Sequence, residues 1–197
     1  MGGGEDEVGA VSDRALPPRP GPGAFAARLA EILRVDHAGE LGAVHIYRGQ
    51  RAVFAAGRGG ERIGDQLAEM EGHEARHLAR FEAMLTEANV RPTALAPLWR
   101  AAGFALGAAT ALIGEASAHA CTEAVETVIE AHYAAQIEEL GDRAPVLAAE
   151  LAAFRQEELA HRDLAVDEGA RGAPAYRLMA GAIGLGCRAA IFLSEKL

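Results

Sequence analysis

One spacing, present twice, restricts the fold more than any other feature of the chain. Glu40 stands alone, and the tetrad Glu74-Ala75-Arg76-His77 follows 34 residues later. Glu126 stands alone, and the tetrad Glu158-Leu159-Ala160-His161 follows 32 residues later. On a helix, positions i and i+3 share a face, so each tetrad aims a carboxylate and an imidazole at one point. Four helices supplying Glu, Glu-x-x-His, Glu and Glu-x-x-His form the ligand set of carboxylate bundles that hold two iron or two manganese ions. The spacing predicts an all-α chain whose main helices bring these residues to one centre.

A second correspondence supports a duplication. Aligning Glu40 with Glu126 also aligns Tyr47 with Tyr133 and Gln50 with Gln136. The repeated unit reads as a helix hairpin, and two hairpins about a pseudo-two-fold surround one site.

Helical periodicity fills in the elements. A first helix is predicted from about Phe25 to Ala56, ending at the glycine-rich Gly57–Gly60 stretch, and a second from about Glu61 to Asn89. Further helices are predicted from Ser117 to Leu140 and from Pro145 to about Glu168, with Pro145 in a first turn where its missing N–H costs nothing. The chain has 197 residues, enough for one domain with a substantial core. Residues 1–22 are rich in Gly and Pro with little to bury and are predicted to be a disordered tail, so the domain is 23–197.

Two apolar stretches lie outside the ligand-bearing helices. Ala101–Gly114 carries no charge over 14 residues, and the segment from Ala175 to Leu197 is interrupted only by a few charges such as Arg188. Neither apolar run reaches the roughly 20 residues of a bilayer-spanning helix. The first reads equally as a buried core helix or as a segment lying in a membrane interface or lining an apolar entrance.

The net charge of -9 argues against nucleic acid as the main partner. Cys121 and Cys187 are too few and too isolated for a disulfide framework or a thiolate site, and read as small core residues. Carboxylate with imidazole, without thiolate, suits iron or manganese. In this reading Glu74 and Glu158 bridge two metals, His77 and His161 are terminal, and Glu40 and Glu126 are terminal carboxylates. His132 and Tyr133 are candidate pocket residues. Asp36, His37, His45 and Tyr47 are secondary candidates for partner, pocket or packing roles.

His73-Glu74-Ala75-Arg76-His77 also matches H-E-x-x-H, in which two histidines bind zinc and Glu74 is the general base of a peptidase. The second tetrad is preceded by Glu157, so the zinc reading leaves the repeat unexplained. It requires His73 for activity, whereas the dimetal reading expects His73 to be replaceable. A non-catalytic iron-binding bundle is the third alternative.

Around these residues the chain resembles the Coq7 family of di-iron demethoxyubiquinone hydroxylases. Leu33-Arg34-Val35-Asp36-His37-Ala38-Gly39-Glu40, with Tyr47 and Gly49-Gln50, is similar to its first-helix signature. Ala120-Cys121-Thr122, Ala124-Val125-Glu126, His132-Tyr133 and Gln136-Ile137 are similar to its third metal segment. Glu157-Glu158-Leu159, His161 and Asp163 are similar to its fourth. Gly186-Cys187-Arg188, Ala190-Ile191 and Leu193-Ser194-Glu195 extend the likeness to the C-terminus. The resemblance implies a ferritin-like four-helix bundle with two added apolar helical segments. It implies two ferrous ions, O2 as co-substrate, and hydroxylation of the ring of a polyprenylated quinone precursor in ubiquinone biosynthesis. NADH or the reduced quinol would supply electrons. No nucleotide fingerprint is present, since Gly103-x3-Gly107 and Gly181-x2-Gly184-x-Gly186 lack a preceding strand. The resemblance further implies peripheral attachment to a membrane, at the cytoplasmic face of a bacterial inner membrane, or the matrix side if mitochondrial. Some members have a lipid-binding partner protein. A homo-oligomer is compatible with the sequence, which does not fix the oligomeric state.

Overall fold

The structure is a computed structural model that describes residues 22–57 and 60–197. The predicted tail lies outside the described residues, apart from Pro22, which opens the first helix. Six helices follow in order: α1 Pro22–Ala56, α2 Glu61–Glu87, α3 Ala96–Ile113, α4 Glu115–Leu140, α5 Pro145–Asp167 and α6 Tyr176–Lys196. Short 3-10 turns at Gly141–Arg143 and Ala170–Gly172 join α4 to α5 and α5 to α6. Among the described residues there is no strand.

The helices pair as the repeat predicts. α1 packs on α2 and α4 on α5, and the two hairpins close into a four-helix bundle. The duplication extends further than a hairpin, because α3 packs along α1 and α6 packs along α4. Each half therefore has three helices: a pair carrying the candidate ligands and an apolar helix laid on its first member.

Two apolar clusters seal the bundle on either side of its polar centre. Ile32, Leu33, Phe81, Leu85, Leu140 and Leu151 fill one. Tyr47, Ile63, Leu67, Met70 and Ala118 fill the other. The α1–α3 contact is close because glycines face backbone. A Cβ at Gly107 would stand 2.0 Å from the Ile46 carbonyl oxygen, and one at Gly49 would stand 2.2 Å from that of Phe104. The spaced glycines of α3 are thus a helix-packing device. The corner from α3 to α4 is made by Gly114 alone, at φ +140°, a conformation that side-chain-bearing residues rarely adopt. This one-residue corner lets α4 begin at Glu115, two residues before its predicted start.

The buried-core reading of α3 does not hold. Only Gly103, Gly107, Thr110 and Ala111 of that helix are buried, while Leu112 is 75% exposed. α6 is equally open, with Leu178 75% and Phe192 62% exposed. As complete helices, both are long and apolar enough to cross a membrane by length and composition. That exceeds the expectation from the uncharged runs alone, because α3 begins five residues before its run and α6 extends past its own on both sides.

Candidate dimetal site

Glu40 comes from α1, Glu74 and His77 from α2, Glu126 from α4, and Glu158 and His161 from α5. All six are buried inside the bundle. Each carboxylate or imidazole replaces a side chain that would otherwise complete the apolar stripe of its helix, so packing the stripe drives the ligand set together.

The six side chains form two overlapping quartets, Glu40–Glu74–His77–Glu158 and Glu74–Glu126–Glu158–His161. Within each quartet the donor atoms lie within 4.8 Å of one another. Glu74 and Glu158 belong to both, the placement that bridging carboxylates need. His77 Nδ1 is 3.1 Å from Glu158 Oε1 and 3.5 Å from Glu40 Oε2. His161 Nδ1 is 3.1 Å from Glu74 Oε1 and 3.3 Å from Glu158 Oε2. Each imidazole thus meets the carboxylate of the other hairpin more closely than that of its own tetrad.

These contacts are not aligned as hydrogen bonds. Both oxygens of Glu74 and of Glu158, Oε2 of Glu40 and of Glu126, both nitrogens of His77 and Nδ1 of His161 have no hydrogen-bond partner. So many orphaned buried lone pairs around one point would cost several kcal/mol if nothing met them. Hard oxygen donors with one imidazole per quartet fit a divalent first-row cation.

The electrostatics agree. Burial, then repulsion from Glu158 and the other carboxylates, pushes the Glu74 carboxyl well above the ordinary range. Burial and Glu158 do the same to Glu126. Burial also opposes the charge on Glu158, but its contacts with His161 and His77 prevail and hold it down to about 2. Burial opposes the charge on His77, and Glu158 and Glu40 overcome it, raising that imidazole to about 10. In the absence of a cation, protons are drawn in to neutralise the cluster.

Around the cluster, Tyr47 donates its hydroxyl to Glu126 Oε1 at 2.6 Å, and Tyr133 donates to Glu40 Oε1. Tyr133 is therefore a buried support for Glu40 and does not line an open pocket. His132 lies farther out, its Nε2 3.4 Å from Asp36 Oδ1 and 2.9 Å from Gln136 Nε2. Gln136 donates to Asp36 at 2.8 Å, which gives that buried carboxylate a partner. His37 lies 4.0 Å from Glu82, and His45 Nδ1 contacts the Leu41 carbonyl at 2.8 Å, so neither joins the cluster. Cys121 is fully buried with its thiol pushed up to about 12 by burial, as a core residue should be. His73 is absent from both quartets and contacts His161 Nε2, so His73 and His77 do not converge as zinc ligands of H-E-x-x-H would. The contacts of His73 with His161 and of Glu157 with His77 cross between the hairpins, and the sequence shows only that these two residues hold equivalent places before the tetrads.

Fold and cluster together define a ferritin-like bundle with a buried carboxylate–imidazole centre. The family model described as ubiquinone biosynthesis protein COQ7 matches residues 27–194, and the chain belongs to this family. A 3-demethoxyubiquinol 3-hydroxylase of Rhodospirillum rubrum is 48% identical over 187 residues, covering 95% of this chain and 85% of the relative. The human NADPH-dependent 3-demethoxyubiquinone 3-hydroxylase, mitochondrial, is 46% identical over 175 residues, covering 87% and 79%. The 5-demethoxyubiquinone hydroxylase, mitochondrial, of Saccharomyces cerevisiae is 38% identical over 189 residues, covering 88% and 80%.

Proposed function

We propose that this chain hydroxylates the ring of a polyprenylated demethoxyubiquinone or demethoxyubiquinol, the reaction for which its relatives are named. The observation that carries the reading is the pair of buried quartets sharing Glu74 and Glu158. Glu40, Glu74, His77, Glu126, Glu158 and His161 would hold two iron ions. When bound, two adjacent ferrous ions supply the electrons for O2 activation that no organic side chain offers.

The balance of the reaction is fixed by chemistry. A ring C–H becomes C–OH with one oxygen atom of O2, and the other atom leaves as water. This consumes two electrons and two protons from outside. A reduced nicotinamide nucleotide or the quinol form of the substrate is the proposed donor.

The chain's own residues set the conditions. Tyr47 and Tyr133 each occupy one oxygen of a terminal carboxylate and leave the other free for metal. Phe154 lies against the His77 ring with centroids 4.0 Å apart and shields it. Leu67, Met70 and Phe81, all buried, keep bulk water from the cluster. A polyprenyl tail is insoluble, so its ring must reach this site from a bilayer. The exposed apolar faces of α3 and α6 are proposed to lie in the interface at the cytoplasmic face of a bacterial inner membrane, or on the matrix side of a mitochondrial one, and to form that entrance.

The test is a single-turnover assay with protein loaded anaerobically with ferrous iron, then given a short-tailed demethoxyubiquinone, a two-electron reductant and 18O2. One labelled oxygen atom in the ring is expected. A product that carries no label overturns the proposal.

A further inference from the structure

The residue preceding each tetrad's glutamate is left without a task by the ligand set. His73 precedes Glu74 and Glu157 precedes Glu158, at equivalent places in the repeat. Both sit at the rim, with side chains 28% and 38% exposed. Each reaches across to the other hairpin. His73 Nδ1 is 2.9 Å from His161 Nε2. The two ring centroids are 5.1 Å apart with planes 26° from parallel, so the rings meet edge to edge as an N–H···N bond requires. Glu157 Oε2 is 3.4 Å from His77 Nε2, 3.4 Å from His73 Nδ1 and 3.2 Å from Arg76 Nη2.

We infer that His73 and Glu157 are positioning residues, each orienting the candidate metal-binding histidine of the opposite hairpin. The inference rests on the dimetal reading. Both histidines turn Nδ1 toward the carboxylates and Nε2 outward. A ring that binds metal through Nδ1 must carry its proton on Nε2, and that N–H needs an acceptor. His161 Nε2–H finds the lone pair of His73. The Glu157 carboxylate stands 3.4 Å from His77 Nε2, not aligned as a hydrogen bond but near enough to accept its N–H after a small side-chain rotation. Without the acceptor, the ring is free to rotate or to place its proton on Nδ1, where it blocks the metal. The arrangement also makes the two metal positions unequal. The position holding His77 has an anionic outer partner, which makes its imidazole the stronger donor, and the position holding His161 has a neutral one.

The inference is tested by titrating metal-free protein with Co2+, whose visible absorbance reports coordination, in wild type, His73→Phe and His73→Asn. Phenylalanine keeps the ring and removes the lone pair. Asparagine places a carbonyl oxygen near the position of Nδ1. Wild type is expected to bind one Co2+ per quartet. His73→Phe should weaken one of the two by about 10–100-fold and change its absorbance band, and His73→Asn should recover most of the loss. Glu157→Leu should weaken the other position instead. Wild type that binds both ions while His73→Phe shows the same affinities and spectrum overturns this inference alone. So does His73→Asn performing no better than His73→Phe when both retain wild-type circular dichroism. Wild type that takes up no Co2+ overturns the dimetal reading and this inference with it.

Discussion

Tyr47 of α1 donates its hydroxyl to Glu126 of α4, and the repeat-related Tyr133 of α4 donates to Glu40 of α1. The two bonds cross between the halves of the molecule and engage Oε1 of each carboxylate, with its Oε2 left free. A hydrogen bond to a charged group is worth roughly 1.5–3 kcal/mol, equivalent to about 10–100-fold in affinity. Tyr47→Phe should therefore weaken metal binding in the Glu126 quartet by that factor, and Tyr133→Phe should do the same in the Glu40 quartet. Both variants should keep their fold, because the rings stay packed. Calorimetric titration with a divalent metal separates the two positions. Unchanged binding in both variants would refute the supporting role.

The metal-free protein should lose stability as pH rises, and metal should reverse the trend. Glu74 and Glu126 have carboxyls raised by burial and mutual repulsion, so the folded state holds more protons than the unfolded state above pH 4.5, the ordinary value. Stability then falls as pH climbs from there. His77, raised to about 10, adds a loss as pH passes through that value. A divalent cation displaces these protons, so its stabilisation grows over the same range. Thermal melts between pH 5 and 9, with and without Mn2+, should diverge as pH increases. Glu74→Gln removes one repelling carboxylate, so it should raise the metal-free melting temperature and abolish the response to Mn2+. Parallel pH profiles with and without metal would sink the argument.

The sequence made the six clustered residues legible because their spacing matches the helical repeat and occurs twice. Glu40, Glu74, His77, Glu126, Glu158 and His161 all arrive at one centre by helix packing alone. The crossing of contacts was hidden, because which hairpin a side chain reaches depends on how the helices pack together. His73 shows this: its H-E-x-x-H context is compatible with a zinc ligand, and only the packing of the helices turns it to His161 and leaves it outside both quartets. The exposure of α3 was hidden for a related reason. Its composition suits a core or an interface equally, and only the glycine contacts with α1 show which face is covered.

Gly107→Ala should destabilise the fold without touching the cluster. The added methyl would meet the Ile46 carbonyl at 2.0 Å, and backbone cannot yield as a side chain can. α3 must lift from α1, at a cost of about 1–3 kcal/mol. Chemical denaturation should record that loss. Gly181→Ala is the control, because a Cβ there meets nothing within 4 Å. Equal stability of the two variants would show that the α1–α3 contact is looser than described.

The exposed apolar residues of α6 form a stripe, since Leu178, Leu185 and Phe192 recur at seven-residue spacing. On α3, Leu98 and Leu112 stand two such intervals apart, at 14 residues. A stripe along one side is what a helix lying flat in a bilayer interface presents, and each large apolar side chain buried there contributes about 1.5–3 kcal/mol. Replacing Leu112, Leu185 and Phe192 together with Asp should reduce co-flotation with phospholipid vesicles by at least about tenfold. The side chains point away from the cluster, so metal content should stay at the wild-type level. Turnover should be retained with a short-tailed soluble quinone and lost with a long-tailed quinone held in vesicles. A triple variant that floats with vesicles as wild type does would remove α3 and α6 as the membrane face.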